Sequence, residues 1–264
     1  MSSHLHLDRR HALRAIAGAA LIACPICRAL AEEKKADAHG DTHWTYDGEG
    51  GPESWGDLSA DFKACSLGLE QTPIDIKGAI TAETGLVEPS YQQMPLTILN
   101  NGHTIQVNCA PGSRSMISGQ AFDLLQFHFH HPSEHLLSGR TFDLELHFVH
   151  KSAQGQLAVL AIFIRAGQEN VALAPIWAAM PKETGEPRQV GTNIDPTGLL
   201  PLSRKYFRYK GSLTTPPCSE GVLWTVFKDS IEASSDQIRK FAELFPVNAR
   251  PVQPLNSRFL LESI

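Results

Sequence analysis

Short apolar stretches bounded by turn residues recur along the chain: PLTILNNG, TIQVNCAPG, DLLQFHFHHP, FDLELHFVHK and QLAVLAIFIRAG. Apolar and polar positions alternate in several of them. Val, Ile and Phe are frequent, as suits a pleated, half-buried strand. Helical periodicity is scarcer. NVALAPIWAAM (Asn170–Met180) and SSDQIRKFAELF (Ser234–Phe245) carry it best, the second opening on a serine cap. From His43 onward there is no long linker, composition break or internal repeat. The pattern predicts a mainly β single domain with peripheral helices (α+β), built around a large, mostly antiparallel, twisted sheet.

The stretch QFHFHHPSEH (Gln126–His135) departs from ordinary strand composition: four of its ten residues are histidines, set between apolar AFDLL and LL. Side chains two apart on a strand share a face. Gln126, His128 and His130 therefore point one way, and Phe127 and Phe129 the other. FDLELHFVH (Phe142–His150) reads alike, with Glu145, His147 and Val149 on one face and Leu144, Leu146 and Phe148 on the opposite one. The excursion between the two segments is short enough for them to lie side by side. His128, His130 and His147 then converge on one point, while the Phe and Leu face packs the strands from behind. A single such histidine is more often a hydrogen-bonded core group. The pair at i, i+2 with a third on a matching face points instead to a metal. Three neutral imidazoles without a carboxylate or thiolate favour Zn2+, one per chain, with its fourth position open. Gln126 and Glu145, each two residues before a ligand, are placed to accept an imidazole N–H and fix ring orientation. His131, His135 and His150 fall outside this geometry and take structural roles, His135 as a hydrogen-bonding group in the sheet.

Composition narrows the class. Formal net charge is −5, but residues 1–31 hold four Arg and one Asp, so the remainder carries 19 basic and 27 acidic residues, a net of −8. An acidic body without a basic stripe argues against a nucleic-acid partner. Outside the leader no apolar run reaches the length of a spanning helix, so no stable membrane insertion is expected. The leader itself reads as an export signal (1–31): DRRHALR (Asp8–Arg14), the apolar AIAGAALIA (Ala15–Ala23), and a small-x-small site at Ala29–Ala31. The paired Arg9 and Arg10 point to the twin-arginine route. Leu21-Ile22-Ala23-Cys24 writes a lipoprotein box, so acylation at Cys24 is the alternative to cleavage after Ala31. Residues 32–42, charged and without apolar periodicity, read as a flexible mature N-terminus, and 43–264 as the domain. Export places the chain in the periplasm or outside the cell, where disulfides persist. Cys24 and Cys27 leave with the leader, and Cys65, Cys109 and Cys218 then allow one disulfide and one free thiol.

HxHxxxE (His128, His130, Glu134) followed by Gly139 also resembles the first motif of cupins. The Pro-x-Gly expected ahead of a cupin's last histidine is missing from FDLELH, and the spacing to Gly139 is short. A different family accounts for more of the chain. HWTY, QTPIDI (Gln71–Ile76), NNGHT (Asn100–Thr104), QFHFHHPSEH, ELHFVHK, LAVLAIF, GSLTTPPC (Gly211–Cys218), LWTVF and NARPVQPLNSR (Asn248–Arg258) occur in that order over residues 43–258. Together they resemble an α-class carbonic anhydrase of the bacterial secreted type.

The resemblance implies reversible hydration of CO2 to bicarbonate and a proton, with zinc on the sheet face at the base of a conical cavity. It assigns His128, His130 and His147 as ligands, in agreement with the strand argument. It gives Thr214 and Glu134 a shared catalytic task, in which the Thr214 hydroxyl donates to Glu134 and accepts from zinc-bound hydroxide. Val149, Val159, Leu213, Val222 and Trp224 resemble the apolar wall of the substrate pocket, and Thr215 its polar side. His103 resembles the proton shuttle, a role suited to a group with an ordinary pKa of about 6.5. Tyr46, Asn101 and Gln106 would organise the waters leading to it. Cys65 and Cys218 stand where secreted bacterial members form a disulfide, which leaves Cys109 free. The family also implies a homodimer. An exported zinc- or ligand-binding protein without activity on the same scaffold is the competing reading.

Overall fold

Fifteen strands and four short α-helices lie within residues 42–264, the part of the chain that the computed structural model describes. The leader, with Arg9-Arg10, Cys24 and Ala31, and the segment that follows it to residue 41 lie outside the described residues. In chain order the strands are β1 (Asp75–Ile76), β2 (Ile80–Ala82), β3 (Val87–Ser90), β4 (Met94–Asn100), β5 (Ile105–Asn108), β6 (Arg114–Ile117), β7 (Gln120–His130), β8 (Leu136–Leu137), β9 (Leu144–Ser152), β10 (Leu157–Ala166), β11 (Arg188–Ile194), β12 (Tyr206–Ser212), β13 (Glu220–Phe227), β14 (Ile231–Ala233) and β15 (Leu261–Ser263). The helices are α1 (Trp55–Leu58), α2 (Ala64–Leu67), α3 (Ala174–Ala179) and α4 (Ser235–Ala242). No helix among these residues is long and apolar enough to cross a membrane.

Thirteen strands form one sheet, with the main path β11-β4-β5-β7-β9-β10-β13-β12-β15-β2. Most pairs are antiparallel, the parallel ones within it being β10–β13, β10–β14 and β15–β2. The apolar segments of the sequence form β4, β5, β7, β9 and β10. Both expected helices form, although α3 is shorter than its apolar pattern. At α4 the Ser234 side chain accepts from Gln237 N–H while the Gln237 side chain accepts from Ser234 N–H, a reciprocal capping box.

A bulge in β7 decides which side chains face where. Leu124 pairs with His150 and Gln126 with Val149, so Leu125 has no partner on β9. The extra residue inverts the phase of the strand. Phe122 and Leu124 before it, and Phe127 and Phe129 after it, all enter the same core. Gln126, His128 and His130 are thereby turned to the other face.

That core lies behind the histidines. Phe127, Phe129, Leu146 and Phe148 are all fully buried. Trp177 of α3 meets Phe129 edge-on at 4.8 Å, and Phe241 of α4 lies 6.0 Å from it. Each buried Phe contributes on the order of 2 kcal/mol from water exclusion alone, so the strands are held firmly from behind. β10 is covered on both sides: Ala158, Leu160, Ile162 and Ile164 join this core, while Val159, Ala161 and Phe163 join a second one in front. Double burial explains why LAVLAIFI shows no alternation.

Candidate metal centre

On the front of the sheet, His128 of β7 stands directly opposite His147 of β9, and His130 opposite Glu145. Direct cross-strand partners have neighbouring side chains. The three rings lie 5.0 Å (His128–His130), 5.3 Å (His128–His147) and 4.6 Å (His130–His147) apart, centre to centre. One nitrogen from each lies within 4.8 Å of the others.

The outward nitrogens determine which atom points inward. His128 Nδ1 lies 2.8 Å from Gln126 Oε1, His130 Nδ1 2.7 Å from the Asn248 carbonyl, and His147 Nε2 2.8 Å from Glu145 Oε1. Carbonyl and carboxylate oxygens only accept, so each of these nitrogens donates its N–H. His128 Nε2, His130 Nε2 and His147 Nδ1 are left as lone pairs. Burial pushes His128 and His130 below the ordinary histidine range, with neighbouring imidazoles adding to it. Neutral rings are what a metal ligand requires.

Gln126 and Glu145 thus stand where strand parity placed them. Asn248 is a partner that sequence reasoning missed, because a backbone carbonyl 118 residues away leaves no local pattern. Its side chain also straps the site together: Oδ1 accepts from His131 N–H at 2.7 Å, and Nδ2 donates to the carbonyls of His103 and Phe129. Glu145 is fully buried and holds more than one histidine. Its Oε2 accepts from His135 N–H at 2.8 Å and its Oε1 lies 2.7 Å from His135 Nδ1. Burial alone would raise its carboxyl, but His135 and His147 outweigh it and hold the group well below the usual carboxylate range. His135 Nε2 in turn meets the Tyr209 hydroxyl at 2.6 Å. His135 is therefore a hydrogen-bonding group, as expected, but one link from a candidate ligand.

Glu134, 2% exposed, accepts from Arg250 N–H at 3.0 Å through Oε1. Its Oε2 has no hydrogen-bond partner and lies 3.5 Å from His130 Nε2 and 3.9 Å from His147 Nδ1. The expected bond from the Thr214 hydroxyl is therefore not made at this oxygen, which faces the histidine nitrogens instead. His130 Nε2 is likewise buried without a partner. A buried lone-pair nitrogen left without a partner on His130, with one nitrogen of His128 and one of His147 within 4.8 Å of it, is the arrangement a bound cation satisfies. The donor set fits zinc.

Val149, Val159, Val222 and Trp224 join one apolar cluster, with Leu213 packed against it. Val159 pairs with both Val149 and Trp224, and the Trp224 ring lies 4.9 Å from His147. The apolar wall therefore abuts the histidines. Thr215 sits in the turn that Cys218 N–H closes onto its carbonyl at 2.8 Å. Cys65 and Cys218 are disulfide-bonded, and Cys109 is free, its thiol pushed up to about 12 by burial.

Each residue expected along the proton path has a local partner. Asn101 Oδ1 accepts the N–H groups of His103 and Thr104, both at 2.9 Å, so it shapes its own loop. Gln106 Nε2 donates to Asn108 Oδ1 at 2.7 Å. The His103 ring is stacked on Trp44 at 3.6 Å and 7°. Tyr46 packs edge-on against Trp44, and its ring centre is 6.4 Å from that of His103. Burial, then the nearby His43, push His103 down to about 4, a correction to a carrier titrating at the ordinary histidine value.

Comparison with known proteins gives the same answer from outside the geometry. Residues 50–264 match the model of the eukaryotic-type carbonic anhydrase family. A carbonic anhydrase of Nostoc sp. is 50% identical over 228 residues, covering 84% of this chain and 86% of the relative. One from Pectobacterium carotovorum is 43% identical, covering 86% and 93%. The solved α-carbonic anhydrase of Thermovibrio ammonificans, in complex with sulfanilamide, superposes with a TM-score of 0.82 at 46% identity, over 84% of this chain and all of that one. With its three-histidine group on the sheet face, the chain belongs to the eukaryotic-type, or α-class, carbonic anhydrases, the enzymes that hydrate CO2 to bicarbonate and a proton.

Proposed function

We propose that His128 Nε2, His130 Nε2 and His147 Nδ1 hold one zinc ion, and that the site so formed performs the hydration. The observation that carries this is the set of three inward lone pairs, each fixed by an acceptor on the far side of its ring. Zinc, when bound, supplies the Lewis acidity that makes water a nucleophile near neutral pH, and three neutral ligands leave its charge undiminished. Gln126, the Asn248 carbonyl and Glu145 keep the rings aimed. Glu134 Oε2 has an uncommitted accepting lone pair, which suits it to take the Thr214 hydroxyl proton. With that proton committed, Thr214 only accepts, and so orients a proton-bearing water toward the carbon of CO2. Val149 and Leu213 present apolar surface to an apolar substrate, backed by Val159, Val222 and Trp224. His103 assists release of the proton, but only weakly near pH 7, because burial against Trp44 holds its pKa at about 4. The leader directs export, and the buried disulfide agrees with an oxidising compartment. Residues 43–264 are the catalytic domain.

The deciding experiment measures zinc content and CO2 hydration of the purified chain as isolated, after zinc removal and after zinc is restored. Loss and return of activity with the metal are expected, and His147→Ala is expected to lose both zinc and activity. A folded chain with one zinc and no hydration activity would overturn the proposal.

A further inference from the structure

We infer that Gln71 and Arg250 are positioning residues for the reaction, setting the Thr214 loop against Glu134 through a hydrogen-bonded bridge that runs beside the disulfide. The inference rests on the proposed roles of Glu134 and Thr214.

Both side chains are buried, at 4% and 2% exposure. Arg250 Nη2 donates to the Cys65 carbonyl at 2.8 Å. Its Nη1 donates to the Thr72 carbonyl at 2.8 Å and to Gln71 Oε1 at 2.9 Å. Because a guanidinium only donates, it dictates the orientation of the Gln71 amide: Oε1 faces Arg250 and Nε2 faces away. Nε2 then donates to the Cys218 carbonyl at 3.1 Å and to Glu220 Oε1 at 3.0 Å. Both half-cystine carbonyls are therefore gripped by one Gln–Arg pair, in parallel with the covalent link between Cys65 and Cys218.

The two ends of this bridge are the two halves of the proposed machinery. Cys218 closes the turn that begins at Thr215, and Leu213 N–H donates to the Ser219 carbonyl at 3.0 Å, so Thr214 moves with Cys218. At the other end, the backbone N–H of Arg250 holds Glu134 Oε1 at 3.0 Å. The guanidinium is also 5.6 Å above the Trp55 ring. No ion pair joins Arg250 to a carboxylate among the described residues, so its donors serve geometry. Only a planar fork reaches Cys65, Thr72 and Gln71 together, and a lysine ammonium does not reproduce it.

The test compares Gln71→Met, which keeps side-chain length but removes the bridge, with Arg250→Lys, which keeps the charge and loses the fork. Thiocyanate is the probe, an anion with no proton to donate. A Thr214 hydroxyl held as an acceptor by Glu134 disfavours it, because lone pair then meets lone pair. Each variant is expected to retain one zinc per chain, to lose about tenfold in kcat/KM, and to be inhibited about fivefold more strongly by thiocyanate, a displacement at Thr214 equivalent to about one hydrogen bond. In zinc-free protein, the disulfide of Gln71→Met is expected to be reduced by dithiothreitol about tenfold faster. A drop in melting temperature with kcat/KM, thiocyanate inhibition and reduction rate all unchanged would overturn the inference. Should Arg250→Lys fail to fold, Gln71→Met decides alone. Thr214→Ala and Glu134→Gln separate the layers. If they leave rate and thiocyanate inhibition unaltered, the proposed Glu134–Thr214 roles fail. If they alter both and Gln71→Met alters neither, only the bridge fails.

Discussion

The Nε2 of His147 lies 2.8 Å from Glu145 Oε1, so one buried carboxylate sets the tautomer of a candidate metal ligand and leaves Nδ1 to face the other two histidines. Glu145 also takes two hydrogen bonds from His135. Replacing it with Gln keeps the shape but removes the charge. Glu145→Gln is expected to weaken zinc affinity by about 10- to 100-fold, the usual cost of losing such a partner. Competition with a chelator measures it, and unchanged zinc release would remove Glu145 from this role.

His103 bears on turnover. With its ring stacked on Trp44 and its pKa pushed down to about 4, it is neutral at pH 7 and takes up protons poorly. His103→Ala is therefore expected to slow hydration in dilute buffer by less than about tenfold, short of the 100-fold or more available to a well-matched proton carrier. Added imidazole should raise the rate of both proteins. A loss of 100-fold on mutation would mean that the ring leaves Trp44 and titrates near neutrality during turnover.

His150 makes stability depend on pH. It is fully buried on the back of the sheet, its Nδ1–H donating to the Phe148 carbonyl at 2.9 Å while Nε2 lies 2.9 Å from the Tyr91 hydroxyl. Burial pushes it down to about 4. Below pH 6.5 the unfolded chain protonates this histidine and the folded one does not. Its penalty therefore grows as pH falls from 6.5 to about 4 and is complete below that. The expected loss is about 3 kcal/mol. Urea unfolding at pH 7.5 and 4.5 measures it against His150→Gln, whose stability should fall less over the same interval.

The disulfide between Cys65 and Cys218 closes a loop with a sequence separation of 153. Cys65→Ser with Cys218→Ser is expected to cost up to about 5 kcal/mol, from the chain entropy of a loop this long. Thermal unfolding with and without reductant checks it.

What could be read in advance followed the two-residue period of strands. QFHFH places His128 and His130 on one face and Phe127 and Phe129 on the other, and LHF places His147 opposite to Leu146 and Phe148, whatever the rest of the chain does, and those faces are the ones observed. Ser234 announces the start of α4 because a helix cap is a local interaction. The bulge at Leu125 also left a trace, since the apolar positions change phase between Leu124 and Phe127, but only pairing with β9 shows that an extra residue causes it.

The sequence by itself determined the strands β4, β5, β7, β9 and β10, the faces of His128, His130 and His147, and the identity of two of their three orienting acceptors. Tertiary structure decided the rest. The third acceptor is the carbonyl of Asn248, and one hydrogen bond to Glu134 comes from the main chain of Arg250. Every residue carries such groups, so no residue type marks them. The Gln71–Arg250 bridge spans 179 residues. The proton affinity of His103 follows from burial against Trp44 and the nearness of His43. Local pattern records which side of a strand a residue occupies, whereas partners and burial depend on which distant segments fold against it.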